Sequence, residues 1–309
     1  MAEILHHEFS PILDSLERLH YGNLIEWGQL SVLPLIGPNQ SDLMVKTLEL
    51  ASQEGSLLIQ ELDSASVSQV RVVNRADQCV FGMDGEELIG ARQNRVLNLS
   101  VLFPARDEVT VPVSCIEEGR WGGEGGFRVG KMHNARARAR RQAKVSQSIK
   151  QDGSAYSDQE EIWRDVRAKQ ASMSVSSQSG DLSKVYEVNK IPLDRYMERF
   201  PAQEDQIGGF FFIEGLVGLE LFNDHLIFEE LYPKILEAYA IEAMEDFLRP
   251  RDCLGQATSL ERKLANIHWE RSQIVGIGEN WRFDSPLFTA SAVSLEGTCV
   301  HLTASKRTH

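Results

Sequence analysis

From Leu24 to Ile116 the chain is a succession of short apolar and β-branched runs, each closed by a turn signal, and no other feature constrains the fold as strongly. Gln29 to Ile36 ends at Gly37-Pro38. Leu57 to Leu62 and Val67 to Asn74 follow, the second with Val70 and Val72 alternating. Cys79-Val-Phe81 leads to the pair Asp84-Gly85, and Val96 to Phe103 and Thr110 to Ile116 continue the pattern. Alternation with a period of two places one side of each run on a core, and Asp-Gly supplies the positive φ that a tight turn needs. Leu43 to Gln53, closed by Gly55, is the one helical stretch among these runs. The region predicts a single antiparallel β assembly, a sandwich or partly open barrel.

The remainder mixes both element types. Ser10-Pro11 reads as an N-cap and first helical position, opening a short helix from Ile12 to about Leu19. Trp121-Gly-Gly-Glu-Gly-Gly126 breaks the β pattern with a loop. Lys131 to Lys150 carries Lys131, Arg136, Arg138, Arg140, Arg141, Lys144 and Lys150 with no acidic residue. Its apolar stripe is thin, which predicts a solvated helix, exposed along one face and packed on acidic groups elsewhere. Ser157-Asp-Gln-Glu160 and Thr258-Ser-Leu-Glu261 read as capping boxes that open two further helices. Ser172 to Ser183 reads as a loop. Ile207 to Phe222 reads as a hairpin turning near Glu214-Gly215, and Leu226 to Leu248 as a buried helix interrupted by Pro233. Leu287 to Leu295, Glu296-Gly297 and Thr298 to Thr303 form a terminal hairpin, predicted to pack on or near the Ile207 to Phe222 hairpin. The expected class is α+β: an antiparallel β sandwich or partly open barrel with helices packed on it, ending in a β-hairpin. The expected segments are 1–126, mostly β with an N-terminal helix; 127–206, a basic helical arm, a helix and a Ser-rich connector; and 207–309, an α+β segment packing on the β domain.

A chain of 309 residues buries enough surface to need neither disulfide nor metal. The net charge of −13 disfavours nucleic acid and anionic membranes as partners. No apolar run is long enough to span a bilayer, and Met1 to Phe9 lacks the basic and apolar regions of a secretory signal. A cytoplasmic protein is expected. Cys79, Cys115, Cys253 and Cys299 form no Cys-x-x-Cys pair and read as free thiols. The histidines form no metal pattern, so no metal is assigned, and the cofactor is left open. Gly276-Ile-Gly278 lacks the third glycine of a dinucleotide fingerprint. There is no phosphate-binding G-x-x-x-x-G-K-[ST] loop and no G-x-S-x-G elbow.

Chemistry-bearing residues concentrate in Asp84 to Arg95 and Val113 to Trp121. Carboxylates Glu86, Glu117 and Glu118 accompany guanidinium groups Arg92, Arg95 and Arg120, with the amides of Gln93 and Asn94 and the indole of Trp121. Arg grips phosphate with paired hydrogen bonds, a carboxylate accepts a ribose hydroxyl or acts as general base, and an indole stacks on a base. Glu117, Glu118 and Glu86 are therefore the candidate catalytic residues. Arg95, Gln93, Asn94, Arg120 and Trp121 are the candidate substrate-binding residues. Strand-end salt bridging is the competing account of the same residues. Cys115 lies on the same stretch and acts as a nucleophile only if a base such as His133 or His301 lowers its pKa; a buried structural thiol is the simpler reading.

Gly90-Ala-Arg-Gln-Asn-Arg-Val-Leu-Asn98 and Val111-Pro-Val-Ser-Cys-Ile-Glu-Glu-Gly-Arg-Trp121 resemble a prokaryotic family, the ARG and rhodanese-phosphatase-superfamily-associated proteins. The run from Gly208 to Phe222, the segment Tyr232 to Tyr239 and the closing stretch from Gly276 to His301 resemble it too. The resemblance implies, through the family's gene association with ADP-ribosylglycohydrolases, the handling of ADP-ribose or an NAD-derived nucleotide. Three functions stand open: a hydrolase acting on such a nucleotide, a non-catalytic nucleotide-binding regulatory module, and an interaction protein. In the last, Lys131 to Lys150 docks an acidic partner or a second copy in a homo-oligomer.

Overall fold

The computed structural model describes residues 15–39, 42–62, 68–123, 125–272 and 275–307. The helix expected from Ile12 begins outside them. The chain divides into two compact units, each gathered from separate stretches: one from residues up to Leu43, from Tyr196 to 274 and from 278 onward, the other from Met44 to Arg195 with Val275–Ile277. These are not the segments 1–126, 127–206 and 207–309 expected from the sequence. The single assembly expected from Leu24 to Ile116 is likewise divided, because Leu30–Ile36 finds its partner beyond residue 200, in Gln206–Ile213.

The first unit is built on a nine-stranded antiparallel sheet. Its strands run in the order His20–Tyr21, Leu30–Ile36, Gln206–Ile213, Leu216–Phe222, Thr298–Arg307, Phe288–Leu295, Glu279–Asp284 and Glu270–Ser272, with Ile25–Trp27 also on Leu30–Ile36. The terminal hairpin is present as expected, and it pairs directly with the Leu216–Phe222 strand. Its turn residues Glu296 and Gly297 have φ of 52° and 77°, the geometry a two-residue hairpin turn requires. The sequence is apolar without alternation here because both faces of the sheet are covered. Phe210 and Phe212 join a core with Cys253, Ala257, Leu260 and Leu264 of the helix Cys253–Leu264. Phe211, between them, faces the opposite way and stacks on Tyr239 of the helix His225–Ala243 at 4.7 Å. Asp224 caps that helix by accepting from Leu226 N at 2.7 Å, and Pro233 lies within it. The helix expected to open at Thr258 opens instead at Asp252, whose carboxylate accepts from Gly255 N at 3.3 Å.

Gly218 tests this packing. A Cβ at that position would sit 1.8 Å from Tyr239 Oη. Gly218→Ala is expected to lower unfolding free energy by about 1–3 kcal/mol, the usual cost of overpacking. Urea denaturation measures it, and adding Tyr239→Phe should recover part of the loss.

The second unit has two sheets. One runs Phe127–Met132, Glu86–Gly90, Arg95–Leu97, Asp107–Cys115, Gln69–Asn74 and Leu57–Glu61; the other runs Val101–Phe103, Cys79–Gly82 and Val45–Thr47. All pairs are antiparallel except Val45–Thr47 with Cys79–Gly82, which is parallel. Val70, Val72, Leu88, Leu97, Val111 and Val113 of the larger sheet share one core with Val80, Val101 and Phe103 of the smaller and Leu48 and Ala51 of the helix Leu48–Gln53. The observed class is the expected one: α+β with antiparallel sheets, one curled into a half-barrel.

Helices Ala135–Asp152, Gln159–Ser172 and Ser183–Val188 also belong to this unit, and the helix Lys190–Arg199 starts in it. Asp158, not Ser157, caps the second of them, accepting from Glu160 N and Glu161 N. The helix Ala135–Asp152 corrects the expectation of an exposed basic arm. Ala135, Ala137, Arg138, Ala139, Arg141, Gln142, Val145 and Ser146 are all buried. Small alanines let it lie close to its neighbours, and its cations meet acids of the same unit: Arg138 pairs with Asp84, Arg140 with Asp165 and Lys144 with Glu161. No helix among the described residues is long and apolar enough to cross a membrane.

Candidate functional site

Strand register creates the first part of the site. Arg95 lies opposite Cys115 across the antiparallel ladder. Arg95 Nη1 consequently donates to Cys115 Sγ at 2.6 Å and to Gln93 Oε1 at 2.7 Å, and Nη2 lies 3.5 Å from Glu61. Gln93 Nε2 in turn donates to the Glu117 carbonyl at 3.0 Å. Both Arg95 and Gln93 are buried. Arg95 thus ties two strands together rather than facing solvent.

Glu117 and Arg120 form the second part. One Glu117 oxygen accepts from Asn94 N at 3.1 Å and from Arg120 Nε at 2.8 Å, with Arg120 Nη2 at 2.7 Å. Burial alone would raise the Glu117 pKa, but hydrogen bonds from Arg120, Ser179 and the Asn94 backbone outweigh it and hold the carboxyl below the ordinary value. Arg120 also donates to the carbonyls of Ala91 at 2.6 Å and Gly90 at 3.3 Å and to Asn94 Oδ1 at 2.9 Å. Asn94 Nδ2 reaches Asp181 at 3.1 Å. Arg120 is the clamp that seats the Gly-rich loop on the turn after Glu86–Gly90. The loop approaches so closely that a Cβ on Gly123 would meet the Ala91 carbonyl at 2.1 Å.

Five of the eight residues singled out from sequence therefore converge: Gln93, Asn94, Arg95, Glu117 and Arg120. Glu118 does not join them; it is half-buried and pairs with Arg167. Trp121 is 62% exposed. Glu86 is fully buried in a different environment, where its carboxylate accepts from Met83 N at 2.9 Å. Cys115 is ill placed for nucleophilic attack, since burial above all pushes its thiol up to about 11 and Arg95 only partly offsets this. His133 is no base for it, because its Nδ1 is bonded to Arg141.

A second polar nest in the same unit went unread in the sequence. Its centre is Asp84, in the turn Met83-Asp84-Gly85-Glu86, with Gly85 at φ 95°. Arg138 grips Asp84 through two bonds at 3.0 and 2.8 Å, Gln142 adds one at 2.9 Å and Ser100 one at 3.2 Å. Arg138 and Gln142 are four apart on one helix face, so their spacing was the available signal. Beside them Glu87 is fully buried, and its pKa is raised to about 7 by burial first and by Asp181 second. The Ser183 hydroxyl, at 3.3 Å, opposes the shift. Glu87 is thereby poised to exchange a proton near neutral pH. Among the described residues no group of three or more His, Cys, Asp or Glu side chains converges in the way a metal site needs.

The profile of the ARG and Rhodanese-Phosphatase-superfamily-associated Protein domain matches residues 18–305. The chain belongs to this family. The family match takes in both units and every residue of the two polar nests. No curated protein and no solved structure matches the chain.

Proposed function

We propose that this family member is a binding module for a nucleotide of the ADP-ribose or NAD-derived class, held at the rim where the Gly-rich loop meets the turn after Glu86–Gly90. The observation that carries the reading is Trp121, whose large apolar ring stays 62% exposed on a loop clamped in place by Arg120. An indole held out on a fixed backbone is a stacking platform for a base. Arg92, exposed and adjacent to the Ala91 carbonyl that receives Arg120, supplies a guanidinium for phosphate. Glu117 and Glu118 are both held in ion pairs, as in a binder rather than a catalyst. Hydrolysis of the same class of nucleotide is a second reading, favoured by the Glu87 carboxyl with its pKa near 7.

Calorimetric titration with ADP-ribose and NAD tests the proposal. Trp121→Ala is expected to weaken binding about fivefold or more, since base stacking on an aromatic ring contributes about 1–3 kcal/mol. A parent protein that binds neither nucleotide, or a Trp121→Ala variant that binds like the parent, overturns it. Chromatography of the same mixtures detects hydrolysis, and turnover lost in Glu87→Gln would move the assignment to the second reading.

A further inference from the structure

We propose that the first unit carries a binding site for an amphipathic organic anion, a compact apolar body with a carboxylate or phosphate head, at the tip of the hairpin Gln206–Ile213 with Leu216–Phe222. The site is separate from the Trp121 rim and does not rest on it. A cavity of about 620 Å³ opens there, lined by the turn Glu214-Gly215 and by residues between Leu248 and Gln256. That is the size of a small-molecule site. Phe212 and Val217, 0% and 1% exposed, are among its most deeply buried lining residues, and Leu248 and Pro250 add apolar surface nearer solvent. The lining segment is pinned at both ends. Glu214 Oε2 accepts from the backbone N–H groups of Phe247 at 3.3 Å and Leu248 at 3.4 Å, and Glu214 N donates to Asp246 at 3.0 Å. At the other end Gln256 Nε2 donates to the Arg251 carbonyl at 2.5 Å.

Charge gives the cavity its preference. Arg249 and Arg251 both line it, both are exposed, and neither guanidinium has an ion pair or hydrogen bond among the described residues. That is unusual in a chain with a net charge of −13, whose basic helix Ala135–Asp152 meets acids of its own unit. The nearest acids in sequence are engaged elsewhere: Glu214 by the N–H groups of Phe247 and Leu248, and Asp252 by Gly255 N at 3.3 Å. Around the same segment Phe247, Leu248 and Leu254 are 91%, 60% and 54% exposed. An inorganic ion would meet the arginines and leave this apolar surface wet. A neutral apolar molecule would do the reverse. An organic anion answers both, its head gripped by a guanidinium and its body laid against the apolar lining. An extended peptide would cover the exposed side chains and leave Phe212 and Val217 unfilled, so the occupant is a compact molecule that enters the cavity.

Octanoate and octyl phosphate are titrated calorimetrically into the full chain at an ionic strength fixed with sodium chloride. Octanol and acetate serve as the body and the head alone. At least one of the two amphipathic anions should bind saturably, about tenfold or more tighter than either octanol or acetate. Binding of octanoate alone assigns a carboxylate head, and binding of octyl phosphate alone a phosphate head. Bound anion should slow amide hydrogen exchange in segments 212–217 and 247–256. Arg249→Gln combined with Arg251→Gln should weaken binding about tenfold or more, the loss of a charge-assisted contact, and leave the unfolding temperature of the ligand-free protein unchanged. Trp121→Ala should bind both anions like the parent. No saturable binding of either anion overturns the proposal. So does octanol binding as tightly as the anions, protection confined to other segments, a double variant that binds like the parent, or binding lost in Trp121→Ala. If the double variant does not fold, the exchange pattern of the parent decides.

Discussion

Replacing Asp84 with alanine is expected to destabilise the second unit by about 3–5 kcal/mol, the usual loss when one member of a buried ion pair is removed. The carboxylate is 2% exposed and receives Arg138 through both of its oxygens, with Gln142 and Ser100 filling the remaining positions. Alanine would leave Arg138 buried and charged without the Asp84 carboxylate, next to Arg141, whose charge Asp84 also supports. The helix Ala135–Asp152 would then lose the interaction that draws its basic face inward. Urea denaturation followed by tryptophan fluorescence reads the effect as a fall in midpoint. The double variant Asp84→Ala with Arg138→Met should recover part of the loss, because no stranded cation remains. A single variant as stable as the parent would show that the pair contributes nothing.

That expectation reverses the one the sequence encouraged, and the reason is instructive. Seven cations and no acid in Lys131 to Lys150 read as a solvated face, since charge runs are ordinarily hydrated. The acids that answer them lie far off in the chain, Asp84 some fifty residues before and Glu161 and Asp165 on the following helix. Pattern within a window cannot show such a pairing. Alanines at 135, 137 and 139 were the legible hint, because small residues beside arginines allow close approach of the backbone. Local β signals served better. The hairpins Gln206–Ile213 with Leu216–Phe222 and Phe288–Leu295 with Thr298–Arg307 follow directly from turn chemistry, and so does their adjacency. The long-range return of Leu30–Ile36 to Gln206–Ile213 left no trace in either segment.

The candidate site divides along the same line. Gln93, Asn94, Arg95, Glu117 and Arg120 come together because strand ends carrying polar groups satisfy one another on burial. Their mutual bonding also limits what they offer a ligand. Every arm of the Arg120 guanidinium is engaged, so the free functionality of the rim passes to Trp121 and Arg92. Glu87 escaped notice because it stands between Glu86 and Leu88 in a run of apparently equivalent acids. Its neighbours Asp181 and Ser183, which set its proton affinity, are remote in sequence.

Glu87→Gln should change how stability depends on pH. In the folded protein the Glu87 carboxyl has its pKa raised from 4.5 to about 7. The folded state therefore binds this proton more tightly than the unfolded chain does. Below the unfolded pKa both states are protonated and the residue favours neither. As pH rises from there, the unfolded chain ionises first, and stability falls until the folded carboxyl has also ionised, just above its own pKa. The accumulated loss is roughly 3 kcal/mol. Glutamine carries no such proton and can still accept the Ser183 hydroxyl. Relative to the parent, the variant should gain roughly 3 kcal/mol between about pH 4 and pH 8. Glu117 contributes the opposite slope, since its folded pKa is depressed and its stabilisation is lost as pH falls, but it is common to both proteins and cancels in the difference. Urea midpoints across that range give the comparison. A difference that stays flat from acid to neutral pH would mean that Glu87 ionises in the fold as readily as in the unfolded chain, and would remove the basis for assigning it a proton-transfer role.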